Sequence, residues 1–353
     1  MHQLNEILEN KVINNLISGF ERSPDQLNKP HESDAEIIQI GSLKFAVTTD
    51  SISEEITAGL YDNPYLIGWM IVTVNISDLS AVGATPIGIL ISEIIPDTFS
   101  EEKIRELQRG ISDACKAYGT FALGGDTNEG KNLVLTGTAV GIINSEKNLS
   151  RIGCKPGDIV YSSGKLGIGN AYAISKLISK TNSLINYKPI ARIKECKLIS
   201  KYASCCMDTS DGLVSTLDQL MRLNDVGFAI STDLEKMIDD HGLKYAEDNH
   251  IPSWLLFAGQ HGEFELIFTI PQELNEAFLI EAFKFEFQPI ELGKVIIEKE
   301  VKIKVNSKMI PIDSAFIRNL PAETKGDINH YLKLLLEYDI QLNNDACLNF
   351  TTI

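Results

Sequence analysis

The stretch IGWMIVTVNISDLSAVGATP, residues 67–86, is the most informative about the fold. Its apolar run follows Pro64 and stops at Gly83, which predicts a helix over residues 66–82 followed by a strand, PIGILISEII. The run is too short to span a bilayer, and Asn75, Ser77 and Asp78 interrupt it. The pair of elements therefore predicts a helix that packs on a sheet, with one acid inside the helix.

The composition predicts a soluble globular protein of 353 residues, long enough for two domains with a well-buried core. Apolar residues make up 44% of the chain and charged residues 23%. The net charge of −16 disfavours non-specific binding to nucleic acid or to an anionic membrane, because no basic excess exists to displace counterions. Nucleotides stay possible ligands, since metal ions can bridge a polyphosphate to carboxylates.

The N-terminus and the cysteines both predict a cytoplasmic protein. The segment MHQLNEILENKVINNLISG lacks the basic and apolar regions of a signal peptide. The six cysteines form no CxxC pattern and no ligand-like pairing with histidine, which favours reduced thiols.

Strands and helices alternate in both halves, which predicts an α/β or α+β protein of two domains. Ser100 and the acids after it predict a helix that runs from there to residue 118. FALGGDTNEG predicts a strand and a turn. The polar, turn-rich segment SEKNLSRIGCKPGD predicts a boundary near residues 145–157.

Acids recur where apolar runs end, and this recurrence predicts a metal site. Asp50, Asp126, Asp208 and Asp211 occupy such positions, whereas Asp78 lies in a helix and Asp34 precedes a strand. Mg²⁺ prefers hard oxygen ligands, and clustered carboxylates repel one another unless a cation neutralises them. Each acid alone has a simpler explanation: Asp50 and Asp126 as turn residues, and Asp211 as a helix cap.

Two further motifs are weak. SSGKLGIGNA has no glycine five residues before Gly164, so it is not a P-loop and favours a strand-to-helix turn. QHGEFE at 260–265 lacks the HExxH spacing of a zinc site.

Four blocks together carry a family resemblance: IGWMIVTVNISDLSAVGATP (67–86), FALGGDTNEG (121–130), RIGCKPGD (151–158) and MDTSDGL (207–213). Their order and spacing resemble the thiamine-monophosphate kinases. That family belongs to the superfamily of aminoimidazole ribonucleotide synthetase, selenophosphate synthetase and a hydrogenase-maturation protein. The resemblance extends over roughly residues 5–331, and the NxSDLxAxGAxP and MDxSDGL blocks are its specific parts.

The resemblance implies a two-domain PurM-like fold of the α/β (α+β) class. Residues 1–148 would form an ATP- and metal-binding domain that dimerises by joining sheets into a β-barrel. Residues 149–331 would form a C-terminal α/β domain, and residues 332–353 a tail beyond the usual end of the family. The implied partners are a second copy of the chain and a small-molecule phosphate acceptor.

The resemblance also implies roles for individual residues. Magnesium ligands are implied at Asp34, Thr48, Thr49, Asp50, Asp78, Asp126, Asp208 and Asp211. Contacts with ATP are implied for Gly125, Asp126, Arg151 and Ser210. This set is chemically coherent, because phosphoryl transfer needs metal ions and an arginine fork for phosphate oxygens, and no protein nucleophile.

The departures from the family pattern concentrate on the acceptor side. GDDA is ESDA at 32–35, and Thr57 stands at about the position of a substrate-facing histidine. GGEDYEL becomes GQHGEFEL, so the substrate-contacting acid is lost or shifted to Glu263. GYDHF appears as DINHY at 327–331, where Ile328 replaces an aromatic residue. We expect weaker recognition of a specific ring than of ATP.

The leading hypothesis is an ATP- and Mg²⁺-dependent phosphotransferase of the thiamine-monophosphate kinase type. One alternative is an ATP-dependent ligase or synthetase related to aminoimidazole ribonucleotide synthetase. Another is a nucleotide-binding paralogue without turnover, against which the six retained acids argue.

Overall fold

The computed structural model describes residues 3–145, 148–179, 185–305 and 307–348; the side chains of residues 178, 179, 328 and 343–348 are outside the description. Within these ranges, none of the helices combines the length and the hydropathy needed to cross a bilayer.

The first sheet has an open, mostly antiparallel arrangement. Its strands are β1 (Glu36–Ile40), β2 (Leu43–Ser51), β3 (Thr85–Ile95), β4 (Ala122–Glu129) and β5 (Val134–Ile143). They lie in the order β1-β2-β5-β3-β4, and β3 and β4 are parallel. Within one chain this sheet does not close into a barrel: β1 and β4 are its edges.

Helices cover one face of the first sheet. They are α2 (Ser53–Thr57), α3 (Pro64–Ala81) and α4 (Glu101–Tyr118); the N-terminal helix α1 (Leu8–Ile17) lies elsewhere. The Asn63 side chain accepts hydrogen bonds from the Tyr65 and Leu66 backbone N–H groups, and Pro64 occupies the first turn of α3. The predicted helix over residues 66–82 is therefore confirmed, with a start two residues earlier.

Helices α3 and α4 pack at very short range through two glycines. A Cβ on Gly68 would lie 2.0 Å from the Leu107 carbonyl oxygen, and one on Gly110 would lie 2.1 Å from that of Tyr65. The predicted start of α4 is confirmed, because the Ser100 hydroxyl accepts a hydrogen bond from the Lys103 N–H. This close contact fixes the axis of α3, and with it the position of Asp78.

The segment around Asp126 differs from the sequence prediction. Strand β4 continues through Gly124, Gly125 and Asp126, where the sequence predicted a turn. The two glycines permit this: Gly124 has a φ of 146°, and a Cβ on Gly125 would lie 1.7 Å from the Ile91 carbonyl oxygen. Close pairing with β3, rather than a turn, therefore explains the glycine pair.

The second sheet has seven strands in the described part of the chain. They are β6 (Ile159–Ser162), β7 (Cys205–Asp208), β8 (Gly227–Ile230), β9 (Leu266–Ile270), β10 (Ile290–Ile296), β11 (Val301–Val305) and β12 (Lys308–Ile312). Their order is β12-β11-β8-β10-β6-β9-β7. Strand β7 is an edge strand, and its last residue is Asp208.

Eight helices of the described chain surround the second sheet. They are α5 (Ile168–Ile174), α6 (Cys196–Tyr202), α7 (Gly212–Asn224), α8 (Leu234–Met237), α9 (Asp240–Asp248), α10 (Asn275–Lys284), α11 (Ser314–Thr324) and α12 (Ile328–Leu348). The position expected for the start of a tail, 331/332, lies inside α12, which is one helix in the structure.

The N-terminal helix α1 packs against helices of the second sheet. The Asn10 amide donates a hydrogen bond of 3.0 Å to Gln219 on α7, and both residues are buried. Arg318 on α11 bonds to Glu9 at 3.0 Å. These contacts attach α1 to α7 and α11, on the side where Asp211 precedes α7.

Candidate functional site

Three carboxylates meet between the two sheets. Asp34 precedes β1, Asp78 lies on α3, and Asp208 ends β7. One carboxylate oxygen from each lies within 4.8 Å of those of the other two. The strand order brings Asp208 to the edge that faces the first sheet, so residues far apart in the chain form one cluster.

Each acid of this cluster is held by a specific neighbour. The Thr48 hydroxyl donates to Asp78 at 2.5 Å, and the Ser77 hydroxyl donates to Asp208 at 2.6 Å. The Arg151 guanidinium pairs with Asp34 at 2.8 Å. These contacts orient the carboxylates, but they leave three negative charges with one positive partner.

Burial makes this cluster costly to ionise. It raises the pKa of Asp78 well above its usual range, and the charges of Asp208, Asp50 and Asp34 add to the shift. It also raises the pKa of Asp208 to about 7, with a further contribution from Asp34. A divalent cation would remove the repulsion that causes part of both shifts.

Asp50 and Asp211 adjoin the three clustered acids. Burial raises the pKa of Asp211 to about 6, and the charges of Glu9 and Asp50 add to the rise. Asp211 precedes α7, but its side chain makes no capping hydrogen bond. The simpler explanation of Asp211 as a helix cap is therefore wrong, and Asp50 is likewise inside β2 rather than in a turn.

Several buried polar atoms at this site have no hydrogen-bond partner, and they could bind a cation and an anion. Asp34 Oδ2, Ser33 Oγ and Arg151 Nε are buried without a hydrogen-bond partner, although the Asp34 side chain is only 1% exposed. Carboxylate and hydroxyl oxygens are ligands that Mg²⁺ prefers, and a free guanidinium N–H suits a phosphate oxygen. The residues present therefore fit both magnesium and a nucleotide phosphate.

Gly125 and Asp126 lie apart from the cluster within one chain. Asp50, Gly137, Ile91 and Gly125 form one row across four strands and share a face. Asp126 occupies the next row position, so its side chain lies on the opposite face from that of Asp50. At about 4.8 Å per strand, roughly 14 Å separates β2 from β4.

Ser210 lies next to the carboxylate cluster, whereas Thr49 does not. The Thr49 hydroxyl donates to the Gly137 carbonyl at 2.9 Å, on the opposite face of β2 from Thr48, and so does not join the cluster. The Ser210 N–H is 3.4 Å from Asp208 Oδ1, which places Ser210 beside it.

A cleft of about 930 Å³, here called the α12 cleft, is lined in part by Glu55, whose charge interacts with those of Asp50 and Asp211. Its walls come from α2, α5, the segment before β9, the end of α11, and α12. Apolar side chains dominate them, including Leu60, Ile174, Leu177, Ile251, Leu255, Tyr331, Leu332, Leu335 and Leu336. The acids of the cluster hold charge, whereas the cleft offers an apolar surface, so the two parts suit the two ends of one ligand.

The predicted acceptor residues take different positions. Thr57 is exposed at the α12 cleft, and its hydroxyl donates to the Ser53 carbonyl. The buried Glu263 carboxylate accepts from the N–H groups of Gly167 and Gly169 at 2.8 and 3.3 Å, and burial raises its pKa to about 8. The side chain of Ile328 is outside the described residues; its backbone begins α12.

The sequence did not predict two of the residues that lie at this site. Glu55 on α2 lines the cleft; burial raises its pKa, and the charges of Asp50 and Asp211 contribute. His261 also lines the cleft, where its Nε2 lies 3.1 Å from the Tyr61 hydroxyl. The Glu54-Glu55 pair shortly after Asp50 could have indicated further carboxylates near the metal site. No sequence pattern could have indicated the contact of His261 with Tyr61, because the two residues are 200 positions apart.

The sequence of this chain is similar to those of known proteins. A family model described as AIR synthase related protein, N-terminal domain, matches residues 32–143. Thiamine-monophosphate kinase of Methanocaldococcus jannaschii is 31% identical over 309 residues, covering 82% of this chain and 93% of that protein. The enzyme of the same name from Pyrococcus horikoshii is 28% identical over 315 residues, covering 87% and 94%.

Solved structures give a consistent result. One described as AaThiL complexed with AMPPCP and TMP superposes with a TM-score of 0.69 and 26% identity, covering 85% of this chain and 94% of that one. A HypE–HypF complex superposes with a TM-score of 0.69, covering 86% and 98%, but at 18% identity it shares the fold alone.

Proposed function

The chain belongs to the thiamine-monophosphate kinase family, and on this premise we propose that it transfers the γ-phosphoryl group of ATP to the phosphate of thiamine monophosphate, forming thiamine diphosphate and ADP. The observation that carries the proposal is the cluster of Asp34, Asp78 and Asp208, which lies beside Arg151. The charges of the adjoining Asp50 and Asp211 interact with that of Glu55, which lines the α12 cleft.

Magnesium would be held by the clustered carboxylates, with Asp50 and Asp211 nearby, and it would neutralise phosphate charge when bound. The Arg151 guanidinium has an unpaired Nε–H to donate to a phosphate oxygen. Ser210, next to Asp208, would contact the nucleotide. No side chain is needed as a nucleophile, because the acceptor phosphate supplies the attacking oxygen.

The test is a direct product assay. The protein is incubated with ATP, Mg²⁺ and thiamine monophosphate, and thiamine diphosphate is measured, with ADP release without acceptor as the control. We expect product that depends on both metal and acceptor. Metal-dependent ATP binding without thiamine diphosphate would contradict the proposed acceptor, and ATP consumption with another acceptor would favour the ligase alternative.

We further propose that two chains join through the exposed edge of the first sheet. Every residue of β4 is exposed, including Gly125 and Asp126. Apolar side chains on this edge and the neighbouring strand are also exposed, namely Ile87, Leu90, Phe121 and Leu123. A second copy would cover this surface, and Asp126 would then act at the nucleotide site only in the dimer.

A charge on this surface should separate the chains. We expect Leu123→Asp to yield a monomer with strongly reduced activity, because the carboxylate would be buried in the interface. Light scattering measures the mass, and the product assay measures activity. Ile297→Asp, at an exposed apolar position in the turn after β10, is the matched control. A dimeric Leu123→Asp variant would refute this interface.

A further inference from the structure

Glu55 connects the acidic cluster to the α12 cleft. Its side chain lines the cleft, and its charge interacts with those of Asp50 and Asp211. Oxygen Oε2 is buried and has no hydrogen-bond partner. Glu55 is thus placed where the phosphate end of an acceptor would meet its organic part.

The charged groups of the α12 cleft all have one sign. Its described lining includes the carboxylates of Glu54, Glu55 and Asp327, and no lysine or arginine. His261 adds no positive charge, because burial lowers its pKa to about 3. A cationic ring would gain charge pairing with these carboxylates, whereas a neutral ring would gain none.

The apolar walls set the shape and character of the rest of the ligand. Tyr331, Leu332 and Leu336 on α12 line a cavity of about 930 Å³ together with Ile174 and Leu255. A surface of this kind suits a ring system with little polar area. Helix α12 continues past residue 331, where the family resemblance ends, and Leu332, Leu335 and Leu336 of this extension form part of the wall.

We propose that Glu55 is a specificity-determining residue, which selects acceptors that carry a fixed positive charge close to the phosphate. The inference rests on the proposed function and deepens it. The phosphate lies at the metal cluster, the cation pairs with the unpartnered Glu55 oxygen, and the apolar ring body occupies the wall formed by α12. A neutral ring of the same shape would leave the buried Glu55 charge unpaired beside a phosphate.

The test compares two acceptors of the same shape. Thiamine monophosphate carries a cationic thiazolium ring, and 3-deazathiamine monophosphate carries a neutral thiophene in its place. We expect the wild-type protein to favour the cation in kcat/KM by on the order of tenfold to a hundredfold. Glu55→Gln should remove this preference mainly by raising KM for the cation, with KM for ATP and the Mg²⁺ requirement unchanged.

Glu102→Gln is the matched control, because Glu102 is an exposed glutamate in the first turn of α4 and does not line the cleft. It should keep most of the preference. Equal losses for both acceptors in Glu55→Gln, or a raised Mg²⁺ requirement, would indicate a metal-binding role and overturn the inference. A wild-type protein that uses both acceptors equally would overturn it while the proposed function stands. A wild-type protein that forms no thiamine diphosphate overturns both.

Discussion

Replacing Asp78 with asparagine is expected to abolish phosphoryl transfer and, at the same time, to stabilise the metal-free protein. Asp78 lies on a buried helix, and its carboxylate is within 4.8 Å of those of Asp34 and Asp208. An amide keeps the shape and can still accept the hydrogen bond from Thr48. It removes one negative charge from the proposed metal site.

The two effects should have opposite signs because the proposed site holds Mg²⁺ during the reaction and is empty in the metal-free protein. Without metal, a buried charge near like charges opposes folding, so Asp78→Asn should raise the free energy of unfolding by about 1–3 kcal/mol. With metal, the lost carboxylate weakens charge neutralisation, and kcat/KM should fall at least about 1000-fold.

Thermal unfolding in a chelator and the product assay with Mg²⁺ measure these two effects. Asp97→Asn is the control, since Asp97 is an exposed residue in the loop after β3. It should change neither quantity. If Asp78→Asn stayed active, the proposed metal site would be refuted. If it only lost stability, Asp78 would have a structural role.

The metal-free protein should lose stability as the pH rises from about 4 to about 7. The pKa values of Asp208 and Asp211 are raised, mainly by burial, to about 7 and about 6. In the unfolded chain both groups ionise near pH 4. Between these values the folded state binds more protons than the unfolded state, so the free energy of unfolding decreases with increasing pH.

Each raised group contributes stability that is fully present below its unfolded pKa and is lost as the pH passes its folded pKa. The coupled cluster should therefore cost a few kcal/mol at pH 7 relative to pH 4.5. Mg²⁺ should restore this loss, since by the proposal it would bind the ionised carboxylates of the folded protein.

Denaturant unfolding at several pH values, with chelator or with Mg²⁺, measures this dependence. Asp208→Asn serves as the internal control, because it removes one of the raised groups and should flatten the curve in chelator. A free energy of unfolding that rises with pH in chelator would contradict the electrostatic account of the cluster. A free energy of unfolding at pH 7 that does not change when Mg²⁺ is added would also contradict this account.

Local sequence predicted the elements that carry the site. Helix α3 was predictable from its apolar run and its flanking Pro64 and Gly83, and α4 from the Ser100 cap. The short strands β8 and β12 were missed, because four or five residues give too little periodicity to identify. The predicted turn at Asp126 was wrong, since pairing with β3 extends the strand through the glycines.

The sequence predicted the type of site, a metal site made of carboxylates, but it did not predict all the residues that form it. The repeated acids at strand ends indicated a metal site, and Asp34, Asp78 and Asp208 do come together. Glu55 and His261 were missed because their role depends on the cleft beside them. Thr49 resembled Thr48 in sequence, yet alternate residues of a strand point to opposite faces.

The sequence by itself determined the chemistry that this protein can use: carboxylate oxygens for magnesium, an arginine for phosphate, and the family to which the chain belongs. The tertiary structure alone decided which acids share a site. Strand order brings Asp208 to Asp34 and Asp78, whereas side-chain alternation turns Asp126 to the other face of its sheet. The physical reason is that residue type sets what a side chain can bind, but long-range packing sets which side chains bind together.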